Sequence, residues 1–510
     1  MSAITSARMF ETPAGVLAMS NAQARPIADV PCHDLRAFQQ LVLDATGRGR
    51  RVSALFGVPR DKGLGLVAVL SADDDGLVEL ARTELDGPTF PSLTPRCPQV
   101  HLFERELAEQ WGVVPDGHPW LKPVRFQPPR RARTGEPAEI GVTSFYAIQG
   151  GEVHEVAVGP VHAGVIEPGH FRFQCYGENV IHLEISLGYQ HRGIERALVG
   201  GPDRRSIHYA ETIAGDTTVG HATAYCQVVE ALSETVVPAR ALALRAIAAE
   251  LERLANHVGD LGALAGDVGF LPTAAFCGRL RGDYLNLTAE LCGSRFGRSL
   301  VRPGGTRFDV TPELAGQLVT RIERALRDTE EAAHLLWSTA SVQSRFEETG
   351  KLAKDVAEQL GVVGLVGRAS GLHRDIRTTH PYGYYRFAHI PMSVMPNGDV
   401  FARAFVRHME VRRSAEFVRR ELGLLPRGGT TVSRQPVRPE HVSVSLVEGW
   451  RGEICHVALT DAAGRFAAYK VVDPSFHNWT ALAMVLRGQQ VSDFPLCNKS
   501  FNLSYCGHDL

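Results

Sequence analysis

The sequence contains no Cys-x-x-Cys pair. Its nine cysteines stand isolated, at positions 32, 97, 175, 226, 277, 292, 455, 497 and 506. Iron–sulfur clusters need several thiolates at short spacing, so we expect this chain to hold none. The odd count in a chain of 510 residues also argues against a disulfide framework and favours a reducing compartment. Any electrons that the chain handles must therefore come from a cluster in another subunit.

Long apolar runs and a charge excess are missing as well. No stretch approaches the roughly 18 apolar residues that span a bilayer, and no export signal precedes Glu11. Lys and Arg number 54 against 56 Asp and Glu, which predicts no nucleic-acid partner. No Gly-x-Gly-x-x-Gly fingerprint occurs in a strand–turn–helix setting, so an NAD site would lie on another chain. If the protein works at a membrane, its partners anchor it there.

Local patterns divide the chain into a small α/β domain at 1–125, a Pro- and Arg-rich linker at 126–140 and a large domain at 141–510. In the first domain we expect residues 1 to about 30 to fray. A helix is predicted from Asp34 to Ala45, and strands are predicted at Val52–Gly57 and Leu64–Leu70. Glu104-Arg105-Glu106 is typical of a salt-bridged helix start, or of docking to the neighbouring domain.

The large domain combines long helical patterns at 222–264 and 312–344 with short strand patterns at 442–459 and 466–472, which predicts an α+β fold. Glu250, Arg253 and His257 fall on one helix face. This polar stripe is either solvated or, inside a bundle, a proton relay.

Two distant segments resemble the ligand loops of nickel–iron hydrogenase large subunits. They are Glu211 to His221 and Asp473-Pro-Ser-Phe-His-Asn478. The family reads Glu-Arg-(Ile/Val)-Cys-Gly-x-Cys…His and Asp-Pro-Cys-x-x-Cys, and its four thiolates hold the metal pair. The matching positions here are Ala214, Thr217, Ser475 and Asn478.

Further motifs extend the resemblance to most of residues 91–510. Leu187-Gly-Tyr-Gln-His-Arg-Gly-Ile-Glu195, Glu167-Pro-Gly-His170 and Arg368-Ala-Ser-Gly371 match the large subunits of hydrogenases and respiratory complex I, and Phe103-Glu-Arg-Glu106 matches the small hydrophilic complex I subunit. The chain resembles a fusion of these two subunits, related to group 4 membrane-bound hydrogenases and formate hydrogenlyase but without their metal-binding cysteines. The resemblance implies a central long-helix bundle with peripheral β-hairpins.

Nickel requires soft anionic sulfur ligands, so we expect no nickel–iron centre and no hydrogenase activity. The resemblance gathers Asp216, His221, Asp473 and His477 near the emptied site. Two carboxylates and two imidazoles could bind zinc, iron or manganese. The alternative, which we favour, is a hydrogen-bonded polar cavity with no metal.

Complex I uses the vacated cavity for a quinone headgroup, which makes quinone the candidate ligand. The implied catalytic set is His162, Asp216, His221, Asp473 and His477. The second hairpin histidine and the loop tyrosine of complex I map to Pro168 and Gly215, so those two roles do not carry over. His170, Arg368, Asp375 and Arg377 are candidate acceptor-binding residues, although the last three equally suit a buried ion-pair network.

Two functions therefore remain open. In the first, the chain passes electrons from an iron–sulfur partner subunit to a quinone-like acceptor. In the second, it is a non-catalytic subunit that couples the iron–sulfur arm to the membrane arm. Both imply integral membrane partners and a peripheral position on the cytoplasmic side of the inner membrane. Retained polar loop residues favour the first, since a pure scaffold could fill the cavity with apolar side chains.

Overall fold

A computed structural model describes residues 15–61, 63–130, 138–164 and 166–510. The predicted fraying of residues 1–14 and most of the Arg-rich part of the linker, 131–137, lie outside the described residues. The described chain is a mixed helix and strand structure, which confirms the predicted α+β class. All nine cysteines are free thiols.

The first part of the chain forms a five-stranded sheet with two main helices. The strands pair in the order β1-β6-β5-β4, with β3 parallel to β6. The elements are β1 (Leu17–Ser20), β2 (Gln23–Pro26), β3 (Cys32–His33), α1 (Leu35–Gly47), β4 (Arg51–Pro59), β5 (Leu64–Ala72), β6 (Leu77–Leu85), β7 (Thr89–Pro91), α2 (His101–Trp111) and β8 (Val114–Asp116).

The predicted helix and strands of this domain are confirmed as α1, β4 and β5. Asp34 caps α1 by accepting a hydrogen bond from the Ala37 N–H at 2.8 Å, and Phe38, Val42 and Ala45 bury one face. The prediction that residues up to about 30 fray is wrong for 17–26. These residues form β1 and β2, and β2 pairs with a strand more than 400 residues later in sequence, which no local pattern could reveal.

The second part begins with a three-stranded antiparallel sheet and continues into helices. Its elements to residue 346 are β9 (Val153–Val158), β10 (His170–Tyr176), β11 (Asn179–Ser186), α3 (Ile194–Leu198), α4 (Ser206–Glu211), α5 (Thr218–Leu232), α6 (Ala239–Asp267), α7 (Leu271–Cys292), β12 (Val301–Arg302), β13 (Gly305–Thr306), α8 (Pro312–Ser338) and α9 (Ala340–Phe346).

The remaining elements are α10 (Lys354–Gln359), α11 (Gly364–Ala369), α12 (Ile376–Thr379), α13 (Val400–Gly423), β14 (His441–Glu448), β15 (Glu453–Thr460), β16 (Phe466–Val472), α14 (Pro474–Val485), α15 (Phe494–Phe501) and α16 (Tyr505–Asp509). Helices α6, α7, α8 and α13 pack together as the long-helix bundle. The predicted helical and strand stretches of this domain are thus confirmed.

The sheet β16-β15-β14-β2 carries the segments of interest. Its strands β14 to β16 are almost fully buried, and helix α14 starts directly at the end of β16. Asp473 occupies the junction as the N-cap of α14 and accepts a hydrogen bond from the Ser475 N–H at 2.8 Å. Within the described ranges, no helix is long and apolar enough to cross a bilayer.

Candidate active site

The two predicted loops meet in space. His221 lies in the first turn of α5, and its Nε2 is 3.0 Å from Asp473 Oδ2 at the start of α14. Both side chains are almost completely buried. Burial alone raises the pKa of Asp473, but the hydrogen bond that it accepts from His221, together with Arg451, holds this pKa below its ordinary value. We call the surroundings of this contact the loop site; it comprises 214–221, 451 and 473–478.

The four positions that match the family's thiolates are buried and serve the fold. Ala214 offers no donor atom, and Thr217 Oγ1 donates to Asp216. Ser475 Oγ accepts from the Ser504 N–H at 2.8 Å. Asn478 pairs with the backbone of Val363, accepting from its N–H at 3.0 Å and donating to its C=O at 3.1 Å. The donor set does not fit nickel.

Metal binding of another kind gains no support from the geometry. Across the described residues, no group of three or more His, Cys, Asp or Glu side chains converges as a metal would require. Asp216 and His477 both turn away from the His221–Asp473 pair to other partners.

Asp216 forms a two-pronged salt bridge with Arg451, at 2.7 Å for each nitrogen–oxygen pair. The Trp450 indole N–H donates to the Asp216 carbonyl at 3.0 Å, and the Arg451 guanidinium lies 3.9 Å from the Trp450 ring centre. Burial acts to raise the pKa of Asp216, but Arg451 lowers it below its ordinary value. The Asp216 side chain is still 31% exposed, whereas Arg451 is 5% exposed. This ion pair forms the open edge of the loop site.

His477 faces the first domain instead of the His221–Asp473 pair. Its ring packs edge-on against Phe103 of α2, 5.8 Å between ring centres. Burial lowers the pKa of His477 to about 4. Its Nε2 has no hydrogen-bond partner among the described residues.

A line of hydrogen bonds runs inward from the His221–Asp473 pair. His221 Nδ1 is 3.1 Å from His456 Nε2 on β15, and His456 Nδ1 is 2.9 Å from the Tyr469 hydroxyl on β16. All of these groups are buried. Burial lowers the pKa of His456 well below its ordinary value, so this imidazole is neutral.

The histidines of the first hairpin bind their own hairpin. His162 Nε2 is 2.9 Å from the Gly169 carbonyl, and His170 Nδ1 is 3.2 Å from the Gly159 carbonyl. Glu167 is the hairpin residue that binds the last helix, since its carboxylate accepts from the Tyr505 and Cys506 N–H groups of α16 at 3.3 and 3.4 Å. Neither histidine contacts the His221–Asp473 pair.

Arg368, Asp375 and Arg377 belong to a buried ion cluster. Arg368 contacts Glu410 and Glu448, each at 2.7 Å, and Arg377 contacts Asp375 at 2.6 Å. The other members are Glu250, Arg253 and His257 of α6. These three side chains are at most 1% exposed, so the solvated-stripe interpretation is wrong. Their helix face packs against α13 in the bundle interior instead.

This cluster supports the loop site from behind. Arg253 donates to the Glu448 carbonyl at the end of β14 at 2.8 Å, and to the Gly449 carbonyl in the turn between β14 and β15 at 3.1 Å. The same turn carries Trp450 and Arg451. The cluster therefore fixes the position from which Arg451 reaches Asp216.

Comparison with known proteins identifies the relatives of this chain. Residues 267–440 match the respiratory-chain NADH dehydrogenase 49 Kd subunit, and residues 29–135 match the 30 Kd subunit. Formate hydrogenlyase subunit 5 of Escherichia coli is 30% identical, over 83% of this chain and 78% of that protein. The carbon monoxide-induced hydrogenase of Rhodospirillum rubrum is 31% identical, over 68% of this chain and 97% of its own length.

The chain belongs to the family of complex I 49-kDa and hydrogenase large subunits, with a 30-kDa-type domain fused in front. An NADH-quinone oxidoreductase subunit of Solibacter usitatus is 27% identical over 66% of this chain and 91% of that protein. Among solved structures, one chain of an archaeal respiratory membrane complex, the membrane-bound sulfane sulfur reductase, shares the fold, with a TM-score of 0.67 and 23% identity over 72% of this chain and all of that chain. The predicted resemblance is confirmed.

Sequence analysis did not predict that Arg451, His456 and Tyr469 belong to the surroundings of the loop site. A signal for His456 was present, because it interrupts the apolar run Ile454 to Leu459 of a strand buried on both faces. Arg451 sits beside Trp450 in a four-residue turn, but nothing local indicates that it reaches residue 216.

Proposed function

We propose that this family member is a peripheral subunit of a membrane-bound, complex I-like oxidoreductase. In this proposal electrons pass from a cluster in an iron–sulfur partner subunit to a quinone or quinone-like acceptor that this chain binds at the loop site. Integral membrane subunits would hold it at the cytoplasmic face of the inner membrane. Membership in the complex I and hydrogenase family supports the coarse part of this proposal.

The observation that carries the acceptor assignment is the Asp216–Arg451 pair at the open edge of the loop site. A quinone gains negative charge on its oxygens when it is reduced. A buried guanidinium held by one carboxylate can stabilise that charge, because donors fixed in advance in a dry site need no reorganisation. Arg451 retains this capacity because Trp450 and Asp216 hold it in place.

Protons for the reduced acceptor would pass through the His221–Asp473 pair, which would take up one proton and then deliver it to the acceptor. The pair lies close enough to the ion pair that Asp473 affects the pKa of Asp216, and Arg451 that of Asp473. A histidine held against a carboxylate is a common general acid–base unit.

The shape of this surface supports a partner subunit that closes the site. Gly215 is exposed and Asp216 is half-buried. On the neighbouring hairpin, Val161 is 74% exposed and Ile166 is 52% exposed. Apolar side chains beside a polar opening suit a protein interface.

Substitution of Arg451 tests the acceptor assignment in the assembled, membrane-extracted complex. We expect Arg451→Gln to lower the rate of acceptor reduction about 10- to 100-fold, because the charge that stabilises the reduced acceptor is lost. Arg465→Gln is the control, since Arg465 is mostly exposed and pairs with Asp461 on a surface turn. Wild-type turnover in an assembled Arg451→Gln complex would overturn the assignment.

A second candidate, the non-catalytic coupling subunit, is favoured by the structural use of the lost ligand positions. Ser475 and Asn478 bind backbone groups, and His162 and His170 bind carbonyls of their own hairpin. Under this alternative the Arg451→Gln complex would assemble and turn over normally, whereas variants that weaken docking would lose activity.

A further inference from the structure

His456 and Tyr469 lie behind the His221–Asp473 pair and contact neither the open edge nor the lost ligand positions. We propose that they are positioning residues that keep His221 in a single tautomer, with its proton on Nε2 facing Asp473. This inference rests on the proposed function, because the pair would relay protons only if an acceptor binds at the loop site. The arrangement itself is a property of this chain and can be measured without any acceptor.

The two ends of the line dictate its direction. An ionised carboxylate only accepts, so Asp473 requires a donor, and His221 Nε2 at 3.0 Å must carry a proton. At the other end, the Tyr469 hydroxyl has a strong preference to keep its proton, because burial raises its pKa well above the ordinary value. The hydroxyl donates to His456 Nδ1 at 2.9 Å.

The middle of the line follows from these ends. His456 Nδ1 accepts from Tyr469, so the proton of the neutral His456 ring is on Nε2. That N–H donates to His221 Nδ1 at 3.1 Å, which leaves the proton of His221 on Nε2. The reverse direction would aim the lone pair of His221 Nε2 at the Asp473 carboxylate. Each of the four ring nitrogens of His221 and His456 is therefore assigned as either a hydrogen-bond donor or an acceptor.

Charged groups around the line do not offer a competing partner. Asp473 is also faced by Arg451, and by the Ser475 N–H, which occupies its other oxygen. His456 is influenced at longer range by Glu195, which is itself paired with Lys470 at 3.0 Å. The groups that act on Tyr469 are neutral at pH 7: Tyr225, Cys226 and Cys455.

Because the line is buried, the Tyr469 hydroxyl is the group that supplies a proton donor to His456 Nδ1. His221, His456, Asp473 and Tyr469 are 0 to 2% exposed, so water does not replace a lost donor. Without the hydroxyl, His456 is free to move its proton to Nδ1 and to accept from His221. His221 would then carry its proton on Nδ1, and it could keep its contact with Asp473 only by taking up one further proton, either on Nε2 or on the carboxyl.

Nitrogen NMR of the full-length chain labelled with ¹⁵N-histidine tests this directly at neutral pH. In the wild type we expect His221 and His456 each to show a protonated Nε2 and a bare Nδ1. Tyr469→Phe should shift the Nδ1 resonance of one or both rings to the position of a protonated nitrogen. Tyr284→Phe is the matched control, because Tyr284 is equally buried and its hydroxyl bonds Thr329 far from the line.

Two His456 variants separate positioning from packing. The His456→Gln amide can supply an N–H to His221 and should preserve its Nε2 tautomer, whereas His456→Leu should not. The inference is overturned if wild-type His221 carries its proton on Nδ1 or is doubly protonated. It also fails if Tyr469→Phe leaves both rings unchanged. If variants do not fold, the wild-type spectrum alone decides. Failure to bind a quinone would overturn the proposed function without altering these resonances.

Discussion

Glu448 shows how one residue can set a pH response from a buried position. It belongs to the ion cluster behind the loop site, where four carboxylates face three guanidinium groups: Glu250, Asp375, Glu410 and Glu448 against Arg253, Arg368 and Arg377. Burial, then repulsion by Asp375, raises the pKa of Glu448 to about 7. The cluster therefore holds one proton more below neutral pH than above it.

This proton predicts the sign of a stability change. An unfolded glutamate titrates near about 4.3, so between that pH and about 7 the folded chain binds the extra proton. The free energy of unfolding should therefore fall as pH rises through this window and level off above it. Glu448→Gln should remove this part of the slope, as measured by denaturant unfolding at several pH values. An unchanged slope in the variant would assign the proton to another group.

At the scale of elements, the turn between β14 and β15 positions Arg451 in the loop site. Arg451 of this turn binds Asp216 in the loop site, and Arg253 of α6 donates a hydrogen bond to the Gly449 carbonyl of the turn. The backbone at the start of α11 also packs closely against this turn. Gly364 at the start of α11 has φ +67°, and a Cβ there would lie 2.0 Å from the Arg451 carbonyl oxygen. Only glycine fits this contact.

Gly364→Ala should therefore displace the turn and loosen the Asp216–Arg451 pair. We expect a loss of unfolding free energy of about 1–3 kcal/mol from overpacking and backbone strain. Gly423→Ala at the end of α13 is the control, because a Cβ there meets nothing within 4 Å. Chemical denaturation measures both. Equal stability of the two variants would mean that the turn adapts without strain.

Elements also mark the limit of prediction from sequence. Helix α1 and strands β4, β5 and β14 to β16 follow from local periodicity and capping, and family motifs bring residues 221 and 473 together. The β2–β14 pairing and the His456–Tyr469 line depend on which strands become neighbours, and local pattern does not encode that. Local pattern also does not show that Asp216 and His477 lie apart from the His221–Asp473 pair. Asp216 pairs with Arg451 and His477 packs against Phe103, and both partners are distant in sequence.

At the scale of the whole molecule, buried ion pairs join the two domains. Arg51 of β4 contacts Glu453 of β15 at 2.6 Å, and Glu106 of α2 contacts Lys470 of β16 at 2.6 Å. The prediction that Glu104-Arg105-Glu106 serves docking holds for Glu106. Arg105 instead donates to the Lys122 and Pro123 carbonyls, and Glu104 binds the 92–94 turn. The first domain thus packs against the strands that carry His456 and Tyr469.

Removal of one partner from such a pair should be costly. Arg51→Met should lower the free energy of unfolding by about 3–5 kcal/mol, because buried Glu453 of the second domain and Asp73 of the first would both lose the counter-charge of Arg51. Arg60→Met should change it by less than about 1 kcal/mol, since the Arg60–Glu84 pair is exposed on both sides. Thermal and denaturant unfolding measure both. A small effect of Arg51→Met would contradict the claim that these buried ion pairs stabilise the fold.

The central claim is that the loop site receives a quinone-like acceptor. Photoaffinity labelling of the intact, membrane-extracted complex with a quinone analogue, followed by peptide mapping, tests it most directly. We expect label on peptides that contain Asp216, Arg451 or the hairpin around His162, and loss of that label in Arg451→Gln. Label confined to partner chains, with this chain clean, would contradict the claim and leave a coupling subunit.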